Sequence, residues 1–176
     1  MNIPSHVKWL AVALVAVVIA VLVLSLAPRK TALGLGQSFP EIRLKDLDGN
    51  AFFFTDTRGK VLLVNFWATW CGYCLEELPH LERLRGDFAA DGLIVATVLE
   101  DPNNLDLARD IRTRNSLTYP ILLDERNELS RKFNVRGLPF SALVDRRGTI
   151  RFMHMGFSDK DVPGYRKEIR QLLEEK

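Results

Sequence analysis

The hydrophobic and polar residues of this chain fall into blocks whose period changes along the sequence. The first block is almost unbroken: Trp9 to Ala27 reads WLAVALVAVVIAVLVLSLA, 19 residues with Ser25 as the only polar side chain. As a helix it would rise roughly 29 Å, close to the ~30 Å hydrocarbon thickness of a bilayer. The pattern predicts a transmembrane anchor over residues 9–27 behind a short cytoplasmic tail, residues 1–8. A cleaved signal peptide is the competing reading, but its apolar stretch usually runs only ~7–15 residues. Pro28 would also follow directly on the Ser25-Leu26-Ala27 cleavage site. Lys8 lies before the run and Arg29 and Lys30 after it, so the positive-inside bias is weak. The short leading tail favours the amino terminus inside and the large domain outside.

Residues 28–40 (PRKTALGLGQSFP) predict a tether. A hairpin follows, with alternating strand positions over 41–45, a turn at Asp48-Gly49-Asn50 and a return strand over 51–54. Val61–Phe66 and Leu93–Leu99 are near-continuous apolar runs, as expected of strands buried on both faces. Between them Leu75, Leu78, Leu81, Leu84 and Phe88 recur at helical spacing, predicting a helix from about Cys71 to Ala90 that Asp91-Gly92 ends. Residues 103–115 read as a helix capped by Asn103 or Asn104. A short strand (120–123), a short helix (125–133), a hairpin (140–144 and 149–155) and a last amphipathic helix through Val162, Tyr165, Ile169, Leu172 and Leu173 complete the pattern. Strands alternating with helices predict a mixed α/β sheet with helices on both faces.

Charge narrows the function. Lys8 is the only charged side chain before Arg29, so the 148 residues after Pro28 carry 23 basic against 22 acidic side chains. That near-neutral balance offers no phosphate-binding surface, so no nucleic-acid partner is expected. The chain has one long apolar run, which excludes a multi-pass membrane protein, and two cysteines, which exclude a disulfide-dense scaffold.

Those cysteines, in Trp70-Cys71-Gly72-Tyr73-Cys74, lie between a predicted buried strand and the start of a predicted helix. Unpaired amides and the positive end of the dipole at a helix amino terminus stabilise a thiolate. Cys71 would be the exposed nucleophile. Cys74, one turn on, would face inward and attack a mixed disulfide formed at Cys71, so the pair can cycle between dithiol and disulfide. Other uses of the pair fit less well. Covalent haem attachment needs a histidine where Leu75 stands. Zinc needs about four ligands, and beyond the anchor only His80 and His154 could join the cysteines. Met153-His154-Met155 would turn its methionines and its histidine to opposite faces of a strand, which suits a half-buried strand better than copper. An inert disulfide closing so short a loop stabilises little. No cofactor and no metal are expected.

At these residues the sequence resembles the thioredoxin superfamily, and within it the membrane-tethered, extracytoplasmic thiol-disulfide oxidoreductases of the ResA/TlpA type. The resemblance rests on Gly59 through Cys74 (GKVLLVNFWATWCGYC), Glu77-Leu78-Pro79, Gly137-Leu138-Pro139, and Leu143-Val144-Asp145 with Gly148. Phe39-Pro40 and Asp48-Gly49 match the family's amino-terminal hairpin. It implies a thioredoxin-like three-layer fold over residues 41–176, with a central mixed sheet, that hairpin and a helical insertion. It also implies roles: Cys71 attacks, Cys74 resolves, and Pro139 follows a cis bond in a loop with Leu138 that receives an extended substrate. Pro79 kinks the active-site helix. Trp67, Trp70, Gly72 and Tyr73 pack around the site. Glu77 is either the proton acceptor for Cys74 or a solvated carboxylate like its neighbour Glu76. Asn65 stands where thioredoxin carries a buried aspartate, which moves any proton relay toward Glu77 or water. Phe140 stands where a small polar residue is common.

The expected activity is thiol-disulfide exchange with client proteins at the outer side of the bacterial cytoplasmic membrane. The resemblance implies reduction of client disulfides, those of apocytochrome c among them, with a membrane thiol-electron donor as second partner. Two alternatives stay open: an oxidase of the same fold, and a copper-binding metallochaperone.

Overall fold

The computed structural model describes Trp9, residues 14–22 and residues 32–175. Trp9 and residues 14–22 are helical, and among the described residues no helix is long and apolar enough to cross a membrane. The expected cytoplasmic tail, and much of the expected anchor, lie outside the described residues.

From residue 32 onward the chain forms one compact unit. Its seven strands are β1 (Arg43–Asp46), β2 (Ala51–Phe53), β3 (Val61–Trp67), β4 (Leu93–Leu99), β5 (Ile121–Leu123), β6 (Phe140–Val144) and β7 (Ile150–Met155). They form one sheet in the order β2-β1-β5-β4-β3-β6-β7. β3, β4 and β5 run parallel, and the remaining neighbours pair antiparallel. The helices are α1 (Gly72–Phe88), α2 (Leu105–Arg114), α3 (Glu128–Phe133) and α4 (Val162–Glu174).

Strand alternation splits the core in two. Val61, Leu63 and Trp67 point to one face of β3, where α1, α2 and α4 pack with both cysteines. Leu62, Val64 and Phe66 point to the other, against α3, Phe39 and Phe54. All seven residues of β3 are buried, which is why its sequence is a run rather than an alternation. Asn65 is its single polar member and shares the α1 face with Leu63 and Trp67. Both hairpins are built alike. The aspartate that enters each turn accepts amides two and four residues on: Asp46 from Asp48 and Asn50, and Asp145 from Arg147 and Thr149.

Three expectations shift. Residues 33–39 do not stand off as tether. Leu33 donates to the Lys132 carbonyl and Gly36 to that of Ile150, and Phe39 is buried against Phe54 and Phe133. α3 begins at Glu128, three residues later than its pattern suggests, because Asn127 is left-handed (φ 50°). Its first amides are instead capped by Asp124, which accepts from Glu128, Leu129 and Ser130. Asn104 does occupy the cap position of α2, but its side chain turns back to Asp101.

The cap on α3 gives a first prediction. Asp124 is buried and also accepts the Ser130 hydroxyl, so Asp124→Ala orphans several donors at once. We expect unfolding in urea to show a loss of about 2 kcal/mol. A loss below about 0.5 kcal/mol, the scale of an ordinary surface substitution, would refute the capping role.

Candidate active site

β3 ends at Trp67, and the turn Ala68–Trp70 delivers the chain to α1. That turn is clamped. Thr69 donates its amide (3.0 Å) and its hydroxyl to Asp101, and Glu100 donates its amide to the Trp67 carbonyl at 2.8 Å. The Trp67 indole is buried with its N–H on Thr97 Oγ1 at 3.2 Å. Cys71 is the cap residue of α1, and its Sγ accepts the Cys74 amide at 3.3 Å. Cys71 and Cys74 are joined as a disulfide with Cα atoms 5.2 Å apart. Cys71, expected to be exposed, is nearly buried at 7% of its surface, and Cys74 has none, so the first cysteine is the less enclosed of the two. The helix amide on Sγ is the interaction that favours a thiolate at Cys71 once the bond opens.

The Leu138–Pro139 bond is cis. Leu138 packs against the cluster that holds both cysteines, and Gly156 donates its amide to the Pro139 carbonyl at 2.8 Å. Pro79 lies within α1, and the Tyr119 hydroxyl donates to the neighbouring Leu78 carbonyl at 3.1 Å.

Packing around the site differs from expectation at three positions. Trp70 is 72% and Tyr73 67% exposed, and a β-carbon on Gly72 would meet no atom within 4 Å. These residues form an open rim where α1 starts, beyond the carboxyl end of the interior strand β3. Only Trp67 of the two tryptophans packs.

Glu77, unlike exposed Glu76, is 1% exposed. It lies one turn beyond Cys74 on the buried face of α1. Three side chains donate to it: Asn65 Nδ2 to Oε2 at 2.9 Å, Tyr165 to Oε1 at 3.0 Å, and Ser141 to Oε1 at 3.4 Å. Burial pushes its carboxyl up to about 7, against the pull of those donors, and the Asp161 charge adds to the rise. A carboxyl poised there can hold or release a proton at neutral pH.

Ser141 and Tyr165 are not among the expected site residues, and Asn65 enters the expectation only as the residue standing where thioredoxin carries a buried aspartate. Each left a trace. Asn65 and Ser141 are polar residues inside fully buried strands, and Tyr165 puts a phenol on the apolar face of the last helix. His154 is committed elsewhere: its Nε2 is 2.7 Å from Glu168 Oε2 and its ring packs on Tyr165. Among the described residues no three His, Cys, Asp or Glu side chains are grouped to hold a metal.

The raised carboxyl makes stability depend on pH. In the unfolded chain Glu77 ionises near 4.5; in the fold it keeps its proton to about 7. Folding therefore binds a proton in that window, and stability falls as pH rises through it, by about 3 kcal/mol in all. Glu77→Gln, which mimics the neutral acid, should remove this slope and be the more stable protein above pH 7. Chemical denaturation of both at pH 4, 5.5, 7 and 8.5 checks it, and parallel curves would refute it.

Residues 35–153 match the AhpC/TSA family. Thioredoxin-like protein YneN of Bacillus subtilis is 30% identical over 172 residues, covering 95% of this chain and 97% of its own. Thiol-disulfide oxidoreductase ResA of Geobacillus thermodenitrificans is 31% identical over 145 residues, covering 82% of this chain and 79% of its own. A Chlorobium tepidum crystal structure assigned as thiol:disulfide interchange protein DsbE aligns at 27% identity with a TM-score of 0.75, covering 81% of this chain and 99% of that one. The chain thus belongs to the AhpC/TSA family and is one of its ResA-like thiol-disulfide oxidoreductases with a thioredoxin-like fold.

Proposed function

We propose that this protein reduces disulfides of client proteins outside the bacterial cytoplasmic membrane, held there by residues 9–27. The observation that carries the chemistry is the asymmetry of the pair: Cys71 caps a helix amino terminus and keeps the little surface the pair exposes, while Cys74 is fully buried one turn from a buried carboxyl. The Cys71 thiolate attacks one sulfur of a client disulfide, forming a Cys71–client bond and releasing a client thiolate, which takes up a proton. Cys74 then gives its proton to the Glu77 carboxylate and attacks Cys71 Sγ. The Cys71–client bond breaks, and the second client thiolate leaves and is protonated in turn. Two electrons pass from the dithiol to the client, and the protein is left with the Cys71–Cys74 disulfide.

The exposed rim of Trp70 and Tyr73, with the Leu138–Pro139 loop, would receive an extended client segment. Turnover needs a membrane protein dithiol that returns the electrons. The paired haem-site cysteines of apocytochrome c are the client class the family resemblance suggests. The anchor rests on the length and apolarity of the 19-residue run. The Bacillus subtilis relative aligns over 95% of the chain, too much to omit that run.

Trapping tests the activity. Cys74→Ser in the native host should accumulate mixed disulfides that vanish in the Cys71→Ser, Cys74→Ser double variant, and their identity names the client. No cysteine-dependent adduct would overturn the reading. The reduction potential of the full chain tests direction: a value near thioredoxin's ~−270 mV agrees with a reductase, and one near ~−120 mV contradicts it.

A further inference from the structure

The Glu77 carboxyl must be satisfied in two protonation states, and its partners are not equally able to follow the change. Asn65 Nδ2, on Oε2, can only donate, so an acid proton on Oε2 would point at another hydrogen. The proton of neutral Glu77 therefore sits on Oε1, where two hydroxyls face it: Tyr165 at 3.0 Å and Ser141 at 3.4 Å. Ser141 Oγ accepts from Asn65 Nδ2 at 3.0 Å and stands farther from Oε1 than the phenol does, at 3.4 Å against 3.0 Å. Tyr165 is the nearer partner: it can donate to the carboxylate and accept from the acid, with the Ser141 hydroxyl, its other hydrogen-bond partner, beside it to take the phenol hydrogen.

The ring that carries this hydroxyl is held in place. Tyr165 is buried on α4, with Ile169 and Leu172 along the same face. His154 lies across it at 4.7 Å between ring centroids, fixed by Glu168 on its far side. His154 also stands opposite Ser141 in the β6–β7 register, so the two hydroxyls belong to one braced assembly. The other titratable groups around the carboxyl are Cys74 and Cys71 on α1, Asp161 before α4, and Tyr119, whose hydroxyl is committed to the Leu78 carbonyl.

We propose that Tyr165 is the positioning residue for the Glu77 proton: its hydroxyl holds that proton on Oε1 and reverses its own hydrogen bond as the carboxyl changes state. The proposal deepens the reading of Glu77 as proton acceptor for Cys74 and rests on it for its place in catalysis. The carboxylate form gains more from a phenol donor than the acid gains from a phenol acceptor, because the first bond is charge-assisted.

The test is a carbon NMR titration of glutamate side-chain carboxyls in the oxidised full chain, with the Glu77 signal assigned by its absence from Glu77→Gln. Tyr165→Phe should raise the Glu77 midpoint by about one pH unit, a tenfold change in its acid constant. Tyr119→Phe also deletes a buried hydroxyl but should leave the midpoint in place. An unmoved midpoint in Tyr165→Phe, or an equal shift in Tyr119→Phe, would overturn the proposal. The unsubstituted protein supplies a second reading if the phenylalanine variant does not fold. The Tyr165 Cζ resonance should shift with the same midpoint as the Glu77 carboxyl, and a flat Cζ overturns the proposal. Both readings follow the carboxyl itself, so they stand or fail separately from any role of Glu77 in resolving mixed disulfides.

Discussion

The active site depends on one costly burial. A carboxyl is placed in the apolar layer between the sheet and α1, one turn below Cys74, where its charged form is poorly solvated. Burial alone would keep Glu77 protonated well above neutrality, and hydrogen bonds alone would keep it ionised. The three donors from β3, β6 and α4 hold the balance near neutral pH. The rest of the structure supports that balance. β3 carries Asn65 through the centre of the sheet, β6 brings Ser141 alongside it, and α4 closes the face with Tyr165.

The two sides of the sheet divide the work. The face carrying α1, α2 and α4 holds the disulfide and the polar assembly beneath it. The face carrying α3, Phe39 and Phe54 is aromatic and apolar and makes the sheet a rigid floor; Phe66, Phe133 and Phe140 pack on one another there. Phe140, where a small polar residue is common after the cis-proline, thus serves this second core. Sulfur chemistry is confined to the carboxyl end of β3, where the chain enters α1, and the only exposed aromatic side chains among the described residues near that point are Trp70 and Tyr73.

Much of this was legible in the sequence because it is local. The run Val61–Trp67 announces a central strand, and the position of Cys71 before Leu75, Leu78 and Leu81 places a sulfur at a helix mouth. The burial of Glu77 was not legible. A carboxylate three residues beyond Cys74 faces whatever packs against that side of the helix, and two of its three partners lie 64 and 88 residues further along the chain. The same limit explains the late start of α3, whose cap is Asp124 rather than an adjacent residue, and the docking of residues 33–39, which answers to Phe133 and to β7. The rim residues fail for the opposite reason. Aromatic side chains beside a reactive cysteine suggest packing, but Trp70 and Tyr73 sit where no element lies above them.

The central claim is that Glu77 takes the proton of Cys74 when the mixed disulfide is resolved. Stopped-flow reaction of the reduced protein with a chromogenic aromatic disulfide tests it most directly. The first thiolate released reports attack by Cys71, and the second reports resolution by Cys74. The second rate should show an inflection near pH 7, where the buried carboxyl titrates, and Glu77→Gln should abolish it while sparing the first step. Identical pH profiles for the second step in the two proteins would contradict the account.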